Sequence, residues 1–305
     1  MGLFTHDFLL RDDKPTTTLK KFCVIKSNLF SNAYGFMNNH YFRTSILSGV
    51  ILFISLFFLI TDKMMAQDTK YIQSLITSEN GGLMVEDFEN DRPGQLPYHW
   101  FEQKGVNRPY RYPDEIKKDY DYQVVEEKNN NQELNQFLRF NGVKAKHLNF
   151  PLHRVTNLDL NNTPILTWKW RIWDTPSGAN ENKNDLNDTA ASIYVVFKIK
   201  KMALVKEVPQ SIRYTWSSTL PVGTEISTFF GHQKIVVVGS GPKSLPASEW
   251  NVFTRNLKED YERLFGEKMP KSPLAILLLS DGDSTNDLAK ADYDDIRFLP
   301  LGFDR

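Results

Sequence analysis

From residue 83 onward, apolar residues alternate with polar ones in short runs, and a period of two buries one side only when the chain forms a sheet. Ten segments carry this pattern: Leu83–Glu89, Asp121–Lys128, Gln136–Gly142, Pro164–Trp173, Thr189–Lys200, Ser211–Ser218, Gln233–Ser240, Glu249–Leu257, Leu274–Asp281 and Tyr293–Leu301. Turn-rich stretches such as "DTPSGANENKND" and "GSGPKSLPAS" separate them. Many short strands between such turns predict a mainly all-β chain, an antiparallel β-sandwich of jelly-roll type filling residues 83–305 as a single domain. The six Trp, 12 Tyr and 21 Phe agree, because aromatic side chains suit the half-buried surface of a sheet.

Two helices are expected beside the strands. "NLKEDYERLFG" (Asn256–Gly266) joins helix formers to a Leu257–Tyr261–Leu264–Phe265 stripe and ends on Gly, which predicts one late surface helix. "KYIQSLITSE" (Lys70–Glu79), closed by "NGG", predicts a short N-terminal helix within a linker over residues 67–82. Neither a Gly-rich phosphate loop nor an alternation of strands and helices occurs, which argues against a nucleotide-binding fold.

The first 66 residues read as a leader. "SILSGVILFISLFFLI" (residues 45–60) is an uncharged apolar run, preceded by Arg43 and followed by "MMAQ", where Ala66 offers a small residue for cleavage before Gln67. A signal peptide is the first expectation and a signal anchor the second, since the run is slightly short for a spanning helix. Met37 is the start that would give a signal peptide of ordinary length, in place of Met1. The sole Cys, Cys23, precedes the apolar run, so the remainder has no disulfide, thiolate metal site or cysteine nucleophile. Export to the periplasm or cell envelope follows, with membrane contact through the 45–60 segment alone if it stays uncleaved. The 37 Lys and Arg balance 37 Asp and Glu, which gives no electrostatic footprint for nucleic acid.

"SDGDSTNDLAKAD" (Ser280–Asp292) places Asp281, Asp283 and Asp292 at the first, third and twelfth positions of an EF-hand ligand pattern. Thr285 stands where an Asp or Asn is wanted, Asn286 where a Gly is, and strands flank the loop on both sides. An EF-hand is ruled out. What remains is an acidic loop between strands, either a solvated turn or a holder of a hard cation.

Four segments resemble one family in order along about residues 83–300: "TWKWRIWDTPSGANENKNDLNDTAASIYVVF", "IRYTWSSTLPVGT", "WNVFTRNLKEDYERLFGEKMP" and "LLSDGDSTNDLAKADYDDIRF" are similar to the bacterial domain of unknown function 3047. That resemblance implies no activity. A second one concerns architecture: "VEDFEN", "RPGQLPYHW" and the closing "DYDDIRF" are similar to the ends of jelly-roll carbohydrate-binding modules and galactose-binding-like domains. It implies that the first and last strands lie side by side, and that Asp87, Glu89, Asp294 and Asp295 gather near one structural calcium. The competing reading has these acids capping turns and pairing with Arg and Lys at the sandwich edge.

Alternation also marks a candidate ligand face. Trp168, Trp170 and Ile172 point one way and Lys169, Arg171 and Trp173 the other, while Ile212, Tyr214 and Trp216 oppose Arg213 and Thr215. If these strands are neighbours in one sheet, Lys169, Arg171 and Arg213, with Arg255 and Tyr194, form a surface for a glycan or acidic ligand, and Trp173 and Trp100, each beside a polar turn, are the stacking candidates. Trp168, Trp170 and Trp216 sit among Leu, Ile and Val and belong to the core. Catalysis has little support, because His99, His147, His153 and His232 form no metal spacing and no nucleophile elbow occurs. The sequence therefore predicts an exported, non-catalytic binding module with carbohydrate as first ligand. Its rivals are a glycan-acting enzyme using Asp281 or Asp283, and an envelope scaffold that binds a protein through a sheet edge.

Overall fold

The computed structural model describes residues 74–102, 121–128, 131–144, 146–202, 206–244 and 249–302. The leader with its apolar 45–60 run lies outside the described residues. Among the described residues no helix is long and apolar enough to cross a membrane.

Among the described residues fourteen strands build two sheets: β1 Ile76–Thr77, β2 Leu83–Glu86, β3 Phe101–Glu102, β4 Tyr122–Lys128, β5 Leu134–Gly142, β6 Lys146–Phe150, β7 Ile165–Asp174, β8 Thr189–Met202, β9 Lys206–Ser217, β10 Glu225–Thr228, β11 Gln233–Ser240, β12 Asn251–Asn256, β13 Ala275–Asp281 and β14 Ala289–Leu299. The first sheet runs β1-β2-β14-β5-β4, with β7 on the other flank of β14 and β12 outside β7; the second runs β10-β11-β9-β8-β13-β6-β3. Together they form an antiparallel β-sandwich of jelly-roll type, with one parallel pair, β9 with β11. The expected neighbours at the two ends do meet: β14 lies against β2, with Ile296 opposite Glu86.

One face of each sheet closes the core. Trp168, Trp170 and Ile172 of β7 meet Ile193, Val195 and Phe197 of β8, Ile212 and Tyr214 of β9, and Ile276 and Leu278 of β13, all within one buried cluster. The unbroken "LAILLL" run of β13 has a physical reason. Its alternate residues Ala275, Leu277 and Leu279 pack with Tyr194 and Val196 on the opposite face, so the strand is buried on both sides.

The late helix, α1 (Leu257–Phe265), is cut at both ends by its own residues. Asn256 Oδ1 accepts the Lys258 and Glu259 amides, and Gly266 takes the left-handed conformation with its N–H on Glu262 O. Leu257 and Tyr261 are buried against the core, as the stripe predicts. The short N-terminal helix requires correction where the chain is described. Residues 70–73 lie outside, and Ile76–Thr77 pairs with Leu83–Met84 as a hairpin, closed by Ser78 O accepting the Gly81 N–H and by Gly82 O accepting the Ser78 N–H. "NGG" is thus a hairpin turn, with Gly81 at φ 78°, and not a helix end.

Candidate functional site

Each sheet has an outward face, and the two differ in how their polar groups are satisfied. On the first sheet, Asp292 of β14 is fully buried and gathers three donors: Arg139 Nε at 2.7 Å, Arg171 Nε at 2.8 Å and Trp173 Nε1 at 2.7 Å. Glu127 of β4 accepts the far ends of both arginines, at 3.2 Å from Arg139 and 2.9 Å from Arg171. Arg171 lies 5.0 Å from the half-buried Trp173 ring and 4.7 Å from Trp250, and Lys290 stands 5.2 Å from Trp173. Cations thus already cover this aromatic surface, and each of these guanidinium groups has a carboxylate partner.

The outward face of the second sheet is built differently. Strand register sets Asn149 of β6 opposite Leu277 of β13, Leu277 opposite Tyr194 of β8, and Tyr194 opposite Arg213 of β9, in one row across four strands. All four are buried, yet Asn149 Oδ1, Tyr194 Oη and Arg213 Nη2 have no hydrogen-bond partner. The next row, His147, Leu279, Ser192 and Thr215, is held by hydroxyl contacts, Ser192 Oγ lying 2.9 Å from Thr215 Oγ1. Burial, followed by the Arg213 charge, lowers His147 to about 3, so the imidazole is neutral. Buried polar atoms without partners are uncommon in folded proteins, and three of the eight such atoms among the described residues fall in this one row.

At one end of this face the chain collects carboxylates. Pairing of Asp281 with Thr189 brings Asp188 alongside, and oxygens of Asp188, Asp281 and Asp283 lie within 4.8 Å of one another. Asp188 is fixed by the Ser284 amide at 3.1 Å and by the Thr285 amide and hydroxyl, each at 2.6 Å; Asp281 Oδ1 accepts the Asp283 amide at 3.1 Å. Burial, then the charges of Asp283 and Asp188, push Asp281 up to about 8. Glu181, also buried and raised by burial, binds Ser217 Oγ through Oε2 and leaves Oε1 without a partner. Asp283, Ser284 and Thr285 are half-buried, which opens this end to solvent. An all-oxygen set of three carboxylates is the donor chemistry that a hard divalent cation takes.

The structure separates the residues that the sequence grouped into one ligand face. Lys169, Arg171 and Trp173 share the outward face of the first sheet, whereas Arg213 belongs to the second sheet, so β7 and β9 are not neighbours. Arg255 faces the other way from Lys169, lying opposite Leu166 and donating to Asp260 of α1 at 2.8 and 2.6 Å. Trp100 is fully buried, with Nε1 on Glu86 Oε2 at 3.1 Å, and offers no stacking surface. Of the acids expected around one ion, Asp295 is paired with Lys169 and Arg297, Glu89 accepts the Gln136 amide, Asp87 accepts the Glu89 amide, and Asp294 accepts from Asn135. Among the described residues, the acids that do converge are Asp281 and Asp283 with Asp188. Asp188 was not legible, because nothing in "NENKNDLND" distinguishes it from its polar neighbours until β8 pairs with β13. Asp292 of the acidic loop points to the other sheet.

The fold and its two faces define a β-sandwich with a polar, incompletely satisfied sheet surface. The chain belongs to the family described as protein of unknown function (DUF3047), whose model matches residues 100–297. Among solved structures it is similar to the family 30 carbohydrate-binding module of a cellulosomal cellulase of Clostridium thermocellum, at 11% identity and TM-score 0.35, over 72% of this chain and 98% of that one. A family 11 carbohydrate-binding module from the same organism gives 9% identity and TM-score 0.30 over 73% and 97%. A search of curated protein sequences finds no match.

Proposed function

We propose that this chain is an exported, non-catalytic binding module of the cell envelope, and that it takes carbohydrate on the outward face of the second sheet. One observation carries the reading: at the end of this face Asp283, Ser284 and Thr285 reach solvent beside Asp188 and Asp281, and Asn149 Oδ1, Tyr194 Oη and Arg213 Nη2 lie without partners in one row of the same face. Polyhydroxylated ligands answer such a row, since each sugar hydroxyl both donates and accepts. Asp188, Asp281 and Asp283 at the end of the face would hold a structural calcium. Export rests on the apolar 45–60 run, and N-terminal sequencing of the mature protein is expected to begin at or near Gln67.

The binding test is the thermal midpoint of the full chain against a panel of neutral and acidic glycans. A ligand at a hundredfold excess over Kd stabilises the native state by about 3 kcal/mol, and at least one glycan is expected to do so. No shift with any glycan would overturn the reading. A second reading, a glycan-acting enzyme, is favoured by Asp281 holding a proton near neutral pH beside Asp283, as an acid and a base would. Turnover lost in Asp281→Asn and Asp283→Asn would establish it, and its absence from the wild-type chain would dismiss it.

A further inference from the structure

β10 is an outer strand of the second sheet and pairs with β11 alone among the described residues. The Val237 amide donates to Thr224 O, and the backbone bonds of an antiparallel pair fall on every second residue, so Thr224, Ile226 and Thr228 face β11. The N–H and C=O of Glu225 and Ser227 then point to the free edge, where no group of the described residues meets them, and both side chains are exposed. The outer edge of β4 differs, because the chain itself closes it: Val124 donates to Gln95 O and accepts the Gly94 amide. An open row of backbone groups such as that of β10 is a template for another strand.

The turn that follows β10 is strained. Phe229, Phe230 and Gly231 take left-handed backbone conformations in succession, at φ 48°, 56° and 87°, a region that a bulky side chain enters only at a cost. The chain gains no burial in return, since Phe230 is 87% exposed. Val222, 62% exposed, stands before β10 as Phe230 stands after it, each four residues from Ile226. Charges are arranged about the same centre. Lys234 Nζ lies 3.0 Å from Ser227 Oγ, one residue to one side of Ile226, and the Glu225 carboxylate, paired with Arg263 of α1, lies one residue to the other.

We infer that β10 is a docking edge for a second copy of this chain, the two β10 strands pairing antiparallel about a two-fold axis at Ile226. This register sets Glu225 opposite Ser227 of the second copy, so the free backbone groups of both strands exchange hydrogen bonds at two symmetric places. It brings Glu225 to the ammonium that Lys234 of the second copy holds at Ser227, and Val222 to Phe230 of the second copy, each contact made twice by symmetry. Centring on Glu225 would set two carboxylates opposite each other, and centring on Ser227 would set Glu225 against Phe229, beyond the end of the strand. Four paired residues bury less than the roughly 1,200 Å² of a standard stable interface, so association in the micromolar range is expected. The joined sheets would turn both outward faces the same way and offer a repeating ligand two points of attachment, but the pairing itself is independent of the carbohydrate reading.

The experiment is sedimentation velocity of the full chain in mild detergent, over about 1–100 μM, beside two variants. The unaltered chain is expected to pass from monomer to dimer across that range. Ser227→Pro removes a donor that faces the free edge and spares the β10–β11 bonds, so it is expected to stay monomeric throughout with an unchanged thermal midpoint. Phe230→Gly, which suits the left-handed turn, is expected to raise the thermal midpoint and to weaken association tenfold or more, and it carries the test should Ser227→Pro fail to fold. The register is read by mixing Glu225→Cys with Ser227→Cys under oxidation: peptide mapping is expected to find a link between positions 225 and 227 in the mixture alone, distinct from any link through Cys23. A monomer at every concentration, a dimer that persists in Ser227→Pro and Phe230→Gly as one held by the apolar 45–60 run would, or a mixture without the 225–227 link would overturn the inference.

Discussion

Three carboxyl groups, Asp281 and Asp294 buried and Glu86 half-buried, set the response of this protein to pH. Asp281 is pushed up to about 8, and Glu86 and Asp294 to about 7, in each case first by burial and then by a neighbouring carboxylate. Each has a folded value above its unfolded one, near 4, so its contribution to stability is full below that unfolded value and is lost as pH rises through 7 and 8. His147 opposes this at lower pH: its folded value of about 3 lies below its unfolded value near 6.5, so stability falls as the solution is acidified beneath that point. Between pH 6.5 and pH 8 the carboxyl groups act alone among these four. The urea midpoint of the cation-free protein is therefore expected to fall over that interval. Asp281→Asn, which cannot ionise, is expected to flatten the slope between pH 6.5 and pH 8, so that its stability relative to the native sequence rises by about 1 kcal/mol or more across that interval. An unchanged slope in Asp281→Asn would show that the group titrates in its ordinary range.

At the level of elements, the first sheet depends on one residue in β14. Asp292 is the common acceptor for Arg139, Arg171 and Trp173, which come from β5 and β7 on either side of it. Asp292→Ala would leave two guanidinium groups beside Glu127 alone, and removing one partner from a buried ionic network costs about 3–5 kcal/mol. Chemical denaturation of the variant is expected to show a loss of that size, whereas Lys169→Ala, at a half-exposed pair with Asp295, is expected to cost about 1 kcal/mol or less. The elements themselves were largely legible: all ten alternating segments are strands, and the Asn256 to Gly266 signals bound the helix. The strands that escaped, Ile76–Thr77, Phe101–Glu102, Lys146–Phe150 and Glu225–Thr228, are too short for a period of two to stand out. Alternation fixed which way Lys169 and Arg213 point along their own strands. It carried no information on which sheet each strand enters, and that is why one expected ligand face is two. Asp188 is hidden for the same reason, since its approach to Asp281 is created by pairing across 92 residues of chain.

Across the whole molecule, the two outward faces are expected to behave as opposites. The first is closed by its own ion pairs and cations on Trp173, so Trp173→Ala is expected to leave glycan affinity unchanged, while Tyr194→Phe on the second face weakens it; titration calorimetry of the two variants separates the faces directly. The acid cluster joins the second face to the fold. Gly282, in the loop after β13, has Asp287 O only 1.9 Å from where a Cβ would stand, so the loop carrying Asp281 and Asp283 closes tightly and can present both acids to Asp188. A hard cation there would relieve the repulsion that raises Asp281, and would stabilise the native state in proportion to its occupancy. Calcium is thus expected to raise the thermal midpoint and chelator to reverse it, with a larger rise at pH 8 than at pH 6.5, because the cation competes with the proton that Asp281 otherwise holds. Asp281→Asn and Asp283→Asn are expected to remove the response. A calcium effect that survives both substitutions would place the ion elsewhere, and no calcium effect in the wild-type chain would leave the cluster as a proton-sharing group that stabilises the loop at the mouth of the second face.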